Sequence, residues 1–288
     1  MRIPAVLCAT ALTAITAGVA HANMIQNGTF AQTSLTNAVP TQFGTASGNG
    51  YTASQFITNW TGNNGYEIWY PNASMATSTE AYSQWGRGTN FNNGNGTGAE
   101  YLWSAMAPPN GGPAFVGLDG DSSNGVASSI SQWVSGLTVG TTYAVSFNWA
   151  GAQMASRTGA TTDMLAVSLN SSMLSNLSYN YGSAINPANG GIGCGSNGSW
   201  QVTCALSNVS EGFTGWKSDT MTFTATSGSE WLNFLSVGTP SSFPPMALLT
   251  NVSLVQAPEP GALALLGGGL LALGFALIQR RRAQRDRA

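Results

Sequence analysis

The sequence predicts an all-β sandwich followed by a single C-terminal transmembrane helix. Three observations carry this. Period-two alternation of apolar and polar residues runs through the middle of the 288-residue chain, and no stretch between Asn23 and Gln256 has a helical apolar stripe. Close to the C-terminus, Gly261 to Ile278 is an uncharged apolar run that ends against an arginine cluster.

The alternation is clearest at Tyr143, Val145, Phe147 and Trp149, with Ala144, Ser146 and Asn148 on the opposite face. The stretch Ala127 to Val134 reads as a second strand. The segment between them, Ser135 to Gly140, holds the glycines a turn needs, so the two read as adjacent strands. Further strands are expected at Met164 to Leu169, Met221 to Thr226, Glu230 to Val237 and Ala247 to Val255, each bounded by Gly, Ser, Asn or Pro. The region from Trp60 to Trp103 reads as aromatic-bearing loops, because its rings are interleaved with Asn and Gly.

Both ends read as targeting segments. Residues 1–22 form a signal peptide: Arg2 is followed by a small, apolar run from Val6 to Ala20, and Ala20-His21-Ala22 has the form of a signal-peptidase site. Cleavage there leaves an extracellular domain over residues 23–256. It also removes the single histidine of the chain, which excludes a Ser-His-Asp triad, a Cys-His pair and a histidine-ligated metal from the mature protein. Cys8 leaves with the signal, and Cys194 and Cys204 remain. In an oxidising compartment they read as a disulfide around Trp200, whereas a two-cysteine metal site would lack further soft ligands. Between 23 and 256 stand three basic residues, Arg87, Arg157 and Lys217, against nine acidic ones. That balance gives no electrostatic footprint for nucleic acid.

Residues 257–288 form the tail. Pro258-Glu259-Pro260 ends the outer domain, since flanking prolines sustain neither a ladder nor a helix interior. The predicted helix is 261–279, and its uncharged part, Gly261 to Ile278, would be about 27 Å long, enough to cross a hydrocarbon core. The basic end, 280–288, carries five arginines and stays cytoplasmic, which puts the domain outside.

The order of Pro-Glu-Pro, glycine-rich apolar span and terminal arginine cluster resembles the PEP-CTERM sorting signal. The resemblance implies that Pro258, Glu259 and Pro260 are recognised by an exosortase, a membrane transpeptidase that cuts the tail. The domain also resembles jelly-roll domains related to carbohydrate-binding modules, through Asn27-Gly28-Thr29-Phe30, Val116-Gly117-Leu118-Asp119-Gly120, Ile130 to Leu137 and Leu249 to Leu254. Such relatives often have Glu and Asp where this chain has Ala31 and Thr250, so a calcium held by those carboxylates is not expected here.

Asp119 and Asp121 lie in an acidic, glycine-containing loop that invites comparison with calcium sites. Its spacing is one residue off an EF-hand, and Ile130 stands where the bidentate Glu belongs, so a polar turn is the preferred reading and no cofactor is expected. Catalysis would need two carboxylates, with Glu67, Glu80, Glu100, Asp119 and Asp163 as formal candidates; no spacing selects a pair. Trp69, Tyr70, Trp85, Tyr101 and Trp103 are the candidates for stacking on sugar rings, although the preferred reading is that some or most of them fill the core or pin long loops. Trp60 is core on either reading. The expected role is a non-catalytic protein of the cell surface or exopolysaccharide matrix, carbohydrate binding being one version of that role. The alternatives are a carboxylate-based polysaccharide-active enzyme and a self-associating coat protein.

Overall fold

The computed structural model describes residues 22–35, 38, 40–43, 56–62, 66–77, 101–110, 112–120, 128–155, 157–173, 194–197, 200–240 and 245–258. Asn23–Ala257 forms one compact unit, and Met1–Ala22 and Pro258–Ala288 lie outside it. Among the described residues no helix is long and apolar enough to cross a membrane; the predicted span, 261–279, lies outside them.

The strands are β1 (Thr41–Phe43), β2 (Thr61–Gly62), β3 (Glu67–Tyr70), β4 (Phe115–Asp119), β5 (Ser129–Ser135), β6 (Thr142–Gln153), β7 (Thr161–Asn170), β8 (Gly195–Asn197), β9 (Trp200–Val202), β10 (Leu206–Asn208), β11 (Lys217–Thr224), β12 (Ser229–Thr239) and β13 (Pro245–Gln256). One short helix, α1 (Ala73–Ala76), follows β3 and is capped by the Asn72 side chain on Met75 N. The first sheet has the order β1-β3-β4-β13-β6-β11, and the second β2-β5-β12-β7-β9-β8, with β10 on β7. The described residues thus build an all-β, two-sheet antiparallel sandwich.

All six strands expected from the sequence are present: β11 and the first half of β6 alternate with one apolar face, while β7, β12 and β13 bury apolar residues on both faces. Tyr143, Val145, Phe147 and Trp149 all enter the inter-sheet core, where they meet Ile130 and Val134 of β5 and Leu232 and Phe234 of β12. Phe147 and Phe234 meet edge to face across the two sheets, with centroids 5.2 Å apart. Burying one such ring is worth roughly 1.5–3 kcal/mol. One expectation is corrected: β5 and β6 are consecutive but not paired. β5 pairs β2 and β12 in the second sheet, and β6 pairs β11 and β13 in the first. Alternation tells which face of a strand is buried and says nothing of which strand lies beside it.

Two of the short motifs meet in space. β13 shifts register between Thr250 and Ser253, and the Asn27-Gly28 turn packs on that bulge, with Val252 N donating to Gly28 O at 2.9 Å. A Cβ on Gly28 would lie 2.0 Å from Val252 O, so the position admits only glycine. Thr250 Oγ1 donates to Ala114 O at 3.0 Å in a buried environment. A carboxylate in its place would face that carbonyl without a proton to share.

Candidate functional site

The aromatic residues singled out in the sequence do not form one surface. Trp69 is 3 % exposed and packs in the inter-sheet core, its Nε1 donating to Phe30 O at 2.8 Å. Tyr70 is fully buried on the other side of β3, stacked near Phe115 with centroids 5.1 Å apart. The Trp60–Trp103 stretch is therefore not all loop, since Glu67–Tyr70 is a sheet strand buried on both faces. Without a solvent face it shows no alternation, and so it escapes a pattern search. Tyr101 is buried as well, and Trp85 lies outside the described residues.

Trp103 is the exception, at 41 % exposed. It belongs to a strap, residues 101–110, laid over the outer face of the first sheet. Leu102 N donates to Ala76 O, Trp103 N to Gln153 O, and Trp216 Nε1 to Met106 O. Trp103 Nε1 itself donates to Arg157 O. Its hydrogen-bonding end is thus spent on holding the strap.

Another pair of rings is presented to solvent. Trp133 of β5, 49 % exposed, stands directly across the ladder from Trp231 of β12. The two meet at 61° with centroids 5.3 Å apart. The parity of β5 places them: Ile130 and Val134 face the core, so Trp133 must face out. That signal was available in the sequence, within the Ile130–Leu137 motif, but an aromatic on the polar parity of a strand is easily absorbed into the apolar run around it.

A cavity of about 370 Å³ opens beside the pair, within the roughly 300–1,000 Å³ typical of small-ligand sites. Ile57 and Trp60 form its floor, and Gln26, Asn59, Thr61 and Gln132 supply its polar wall. Trp60 is core, as expected, with Nε1 donating to Asn27 O at 3.1 Å. Gln132 is clamped by the Gln26 backbone: Gln26 N donates to its Oε1, and its Nε2 donates to Gln26 O, both at 2.8 Å. Asn59 Nδ2 donates to Gln26 Oε1 at 2.7 Å. Among the described residues that line this cavity none is charged.

Those acidic candidates that the structure describes lie elsewhere. Glu67, Asp119 and Asp163 are buried within the sandwich, and Glu80, Glu100 and Asp121 are outside the described residues. Asp163 is 1 % exposed. Its Oδ1 has no hydrogen-bond partner among the described residues. Burial pushes its carboxyl well above the usual carboxylate range; the Thr161 hydroxyl opposes this and the negative charge of Asp119 adds to it. Among the described residues no group of three or more His, Cys, Asp or Glu could hold a metal ion. Cys194 and Cys204 form the expected disulfide, with Cα atoms 4.2 Å apart.

The domain and tail together define a class, an all-β sandwich ending directly in a C-terminal sorting segment. Residues 256–282 match the PEP-CTERM protein-sorting motif, so Pro258, Glu259 and Pro260 fall within it. The motif implies export, C-terminal sorting to the cell surface and processing by an exosortase. Among curated proteins there is no match. Of solved structures, a CBM4 structure aligns at 15 % identity over 50 % of this chain and 70 % of that one, with a TM-score of 0.29. TmCBM61, solved in complex with β-1,4-galactotriose, aligns at 17 % over 51 % and 74 %, with a TM-score of 0.27. The K2 cleaved adhesin domain of Lys-gingipain aligns at 13 % over 72 % and 94 %, with a TM-score of 0.31. These are likenesses of shape, and nothing about a ligand follows from them.

Proposed function

We propose that this is a non-catalytic protein of the cell surface or extracellular matrix that, once sorted, holds polysaccharide in the Trp133–Trp231 cleft. The observation that carries the proposal is a half-exposed tryptophan braced by a second across the strand ladder, beside a cavity walled by amides. Flat apolar rings cover the C–H face of a sugar, and neighbouring amides take its hydroxyls. A ring fixed on a paired strand is also pre-organised, so little freedom is lost on binding.

The non-catalytic part of the proposal is supported by where the acids are. Glycoside hydrolysis needs two carboxyl groups flanking one bond, and among the described residues no carboxyl lines this cleft. The test is retention of the exported protein on the extracellular polysaccharide of the cells that make it. Trp133→Ala is expected to weaken retention about tenfold or more, as truncating a central aromatic anchor does, while the folded state persists because that ring lies outside the core. Trp69→Ala, by contrast, is expected to lower stability by about 3–5 kcal/mol. Retention unaffected by Trp133→Ala, or new reducing ends appearing in the polymer, would refute the proposal.

A further inference from the structure

We infer that the Trp133–Trp231 cleft takes a single chain of uncharged sugar residues, and neither an acidic polymer nor a flat crystalline polysaccharide face. This rests on the sugar-binding proposal above and narrows it to a ligand class.

The first ground is the polar wall. Both ends of the Gln132 amide are held by the backbone of Gln26, which has one N–H and one C=O to offer, so the orientation of that amide is fixed and its main capacity spent. Beside it, Asn59 and Gln26 pair amide to amide. Whichever way round that pair is drawn, it leaves one amide NH2 and one amide oxygen toward solvent. As drawn these are Gln26 Nε2 and Asn59 Oδ1, with no other partner among the described residues. A hydroxyl both donates and accepts, so neighbouring sugar hydroxyls satisfy both groups at once. A carboxylate only accepts, and would meet the amide oxygen acceptor against acceptor.

The second ground is charge. Among the described residues no Lys or Arg lines the cleft, so an ionised ligand group would lose water without gaining a counter-charge from its walls. The three basic residues against nine acidic ones between 23 and 256 also set the long-range field against the approach of a polyanion.

The third ground is the angle between the rings. Two rings inclined at 61° cannot both lie against one plane, as binding to a crystal face requires. A single chain whose successive residues are rotated about its axis can meet both.

The test uses the exported protein purified from producing cells. Its migration is followed in gels that contain the cells' own extracellular polymer, separated by anion exchange into neutral and acidic fractions. Sedimentation with crystalline cellulose is run alongside. The expected result is retardation by the neutral fraction, insensitive to added salt, and weakened about tenfold by Trp133→Ala. Gln26→Ala, which keeps both backbone bonds to Gln132, is expected to weaken it about threefold. Retardation by the acidic fraction, or co-sedimentation with the crystals, either one lost in Trp133→Ala, would overturn this inference and leave the sugar-binding proposal standing. No Trp133-dependent interaction with any of the three probes would overturn both.

Discussion

Asp163 shows how far a single side chain's environment can work against the fold that holds it. Its carboxyl sits where a Cβ on Gly151 would lie 2.6 Å from its Oδ2, with the Thr161 hydroxyl at 3.5 Å and no partner for Oδ1 among the described residues. A pKa raised by folding means that the protonated form favours the native state. That contribution is complete below the unfolded value, about 3.9, and is lost as pH rises toward and through the folded one. Asp163→Asn, which is isosteric and uncharged, is therefore expected to melt above wild type at neutral pH. The two should converge under acid, as thermal denaturation across a pH series would reveal. An unchanged difference at every pH would mean that Asp163 is not the group responsible. Gly28 is constrained by space instead: Gly28→Ala must displace the β13 bulge, and a loss of about 2 kcal/mol or more is expected in denaturant titration.

At the scale of elements, the β8–β9 hairpin is closed by Cys194–Cys204, ten residues apart in sequence. It lays Trp200 over Met164, Ala166 and Leu235 on the outer face of the second sheet. Replacing both cysteines with serine is expected to lower stability by about 2–3 kcal/mol, the chain-entropy value for so short a loop. The core strands should remain intact, since none of them carries the bridge. Elements of this kind divide into those that are legible in sequence and those that are not. β11 and the first half of β6 announce themselves because one face is wet and the other dry. β3 does not, because Ile68 and Tyr70 are covered on one side and Trp69 on the other. The sequence leaves open which of the sugar-stacking candidates fill the core for the same reason: ring type and Asn-rich surroundings do not reveal burial, whereas strand parity does. Trp133 and Trp231 were readable by parity, but their juxtaposition depends on the β5–β12 register, which is non-local.

At the scale of the whole molecule, the folded domain and the sorting motif adjoin without a spacer. β13 keeps its ladder to β6 through Gln256↔Tyr143, and Ala257 N still donates to Thr142 O at 2.9 Å. Pro258, which has no N–H, comes next. Glu259→Ala is expected to leave the tail uncut, visible as unprocessed protein by intact mass in producing cells; normal processing would argue against recognition of the Pro-Glu-Pro element. Of the outer domain's role, the most direct test is protection of single tryptophans from oxidation in the presence of the cells' neutral polysaccharide, mapped by peptide mass spectrometry. Trp133 and Trp103 are comparably exposed, at 49 % and 41 %, so each serves as the control for the other. The expected result is that polymer shields Trp133 and leaves Trp103 reacting as before. Equal reaction of Trp133 with and without polymer, or shielding of Trp103 alone, would contradict a binding cleft at Trp133 and Trp231.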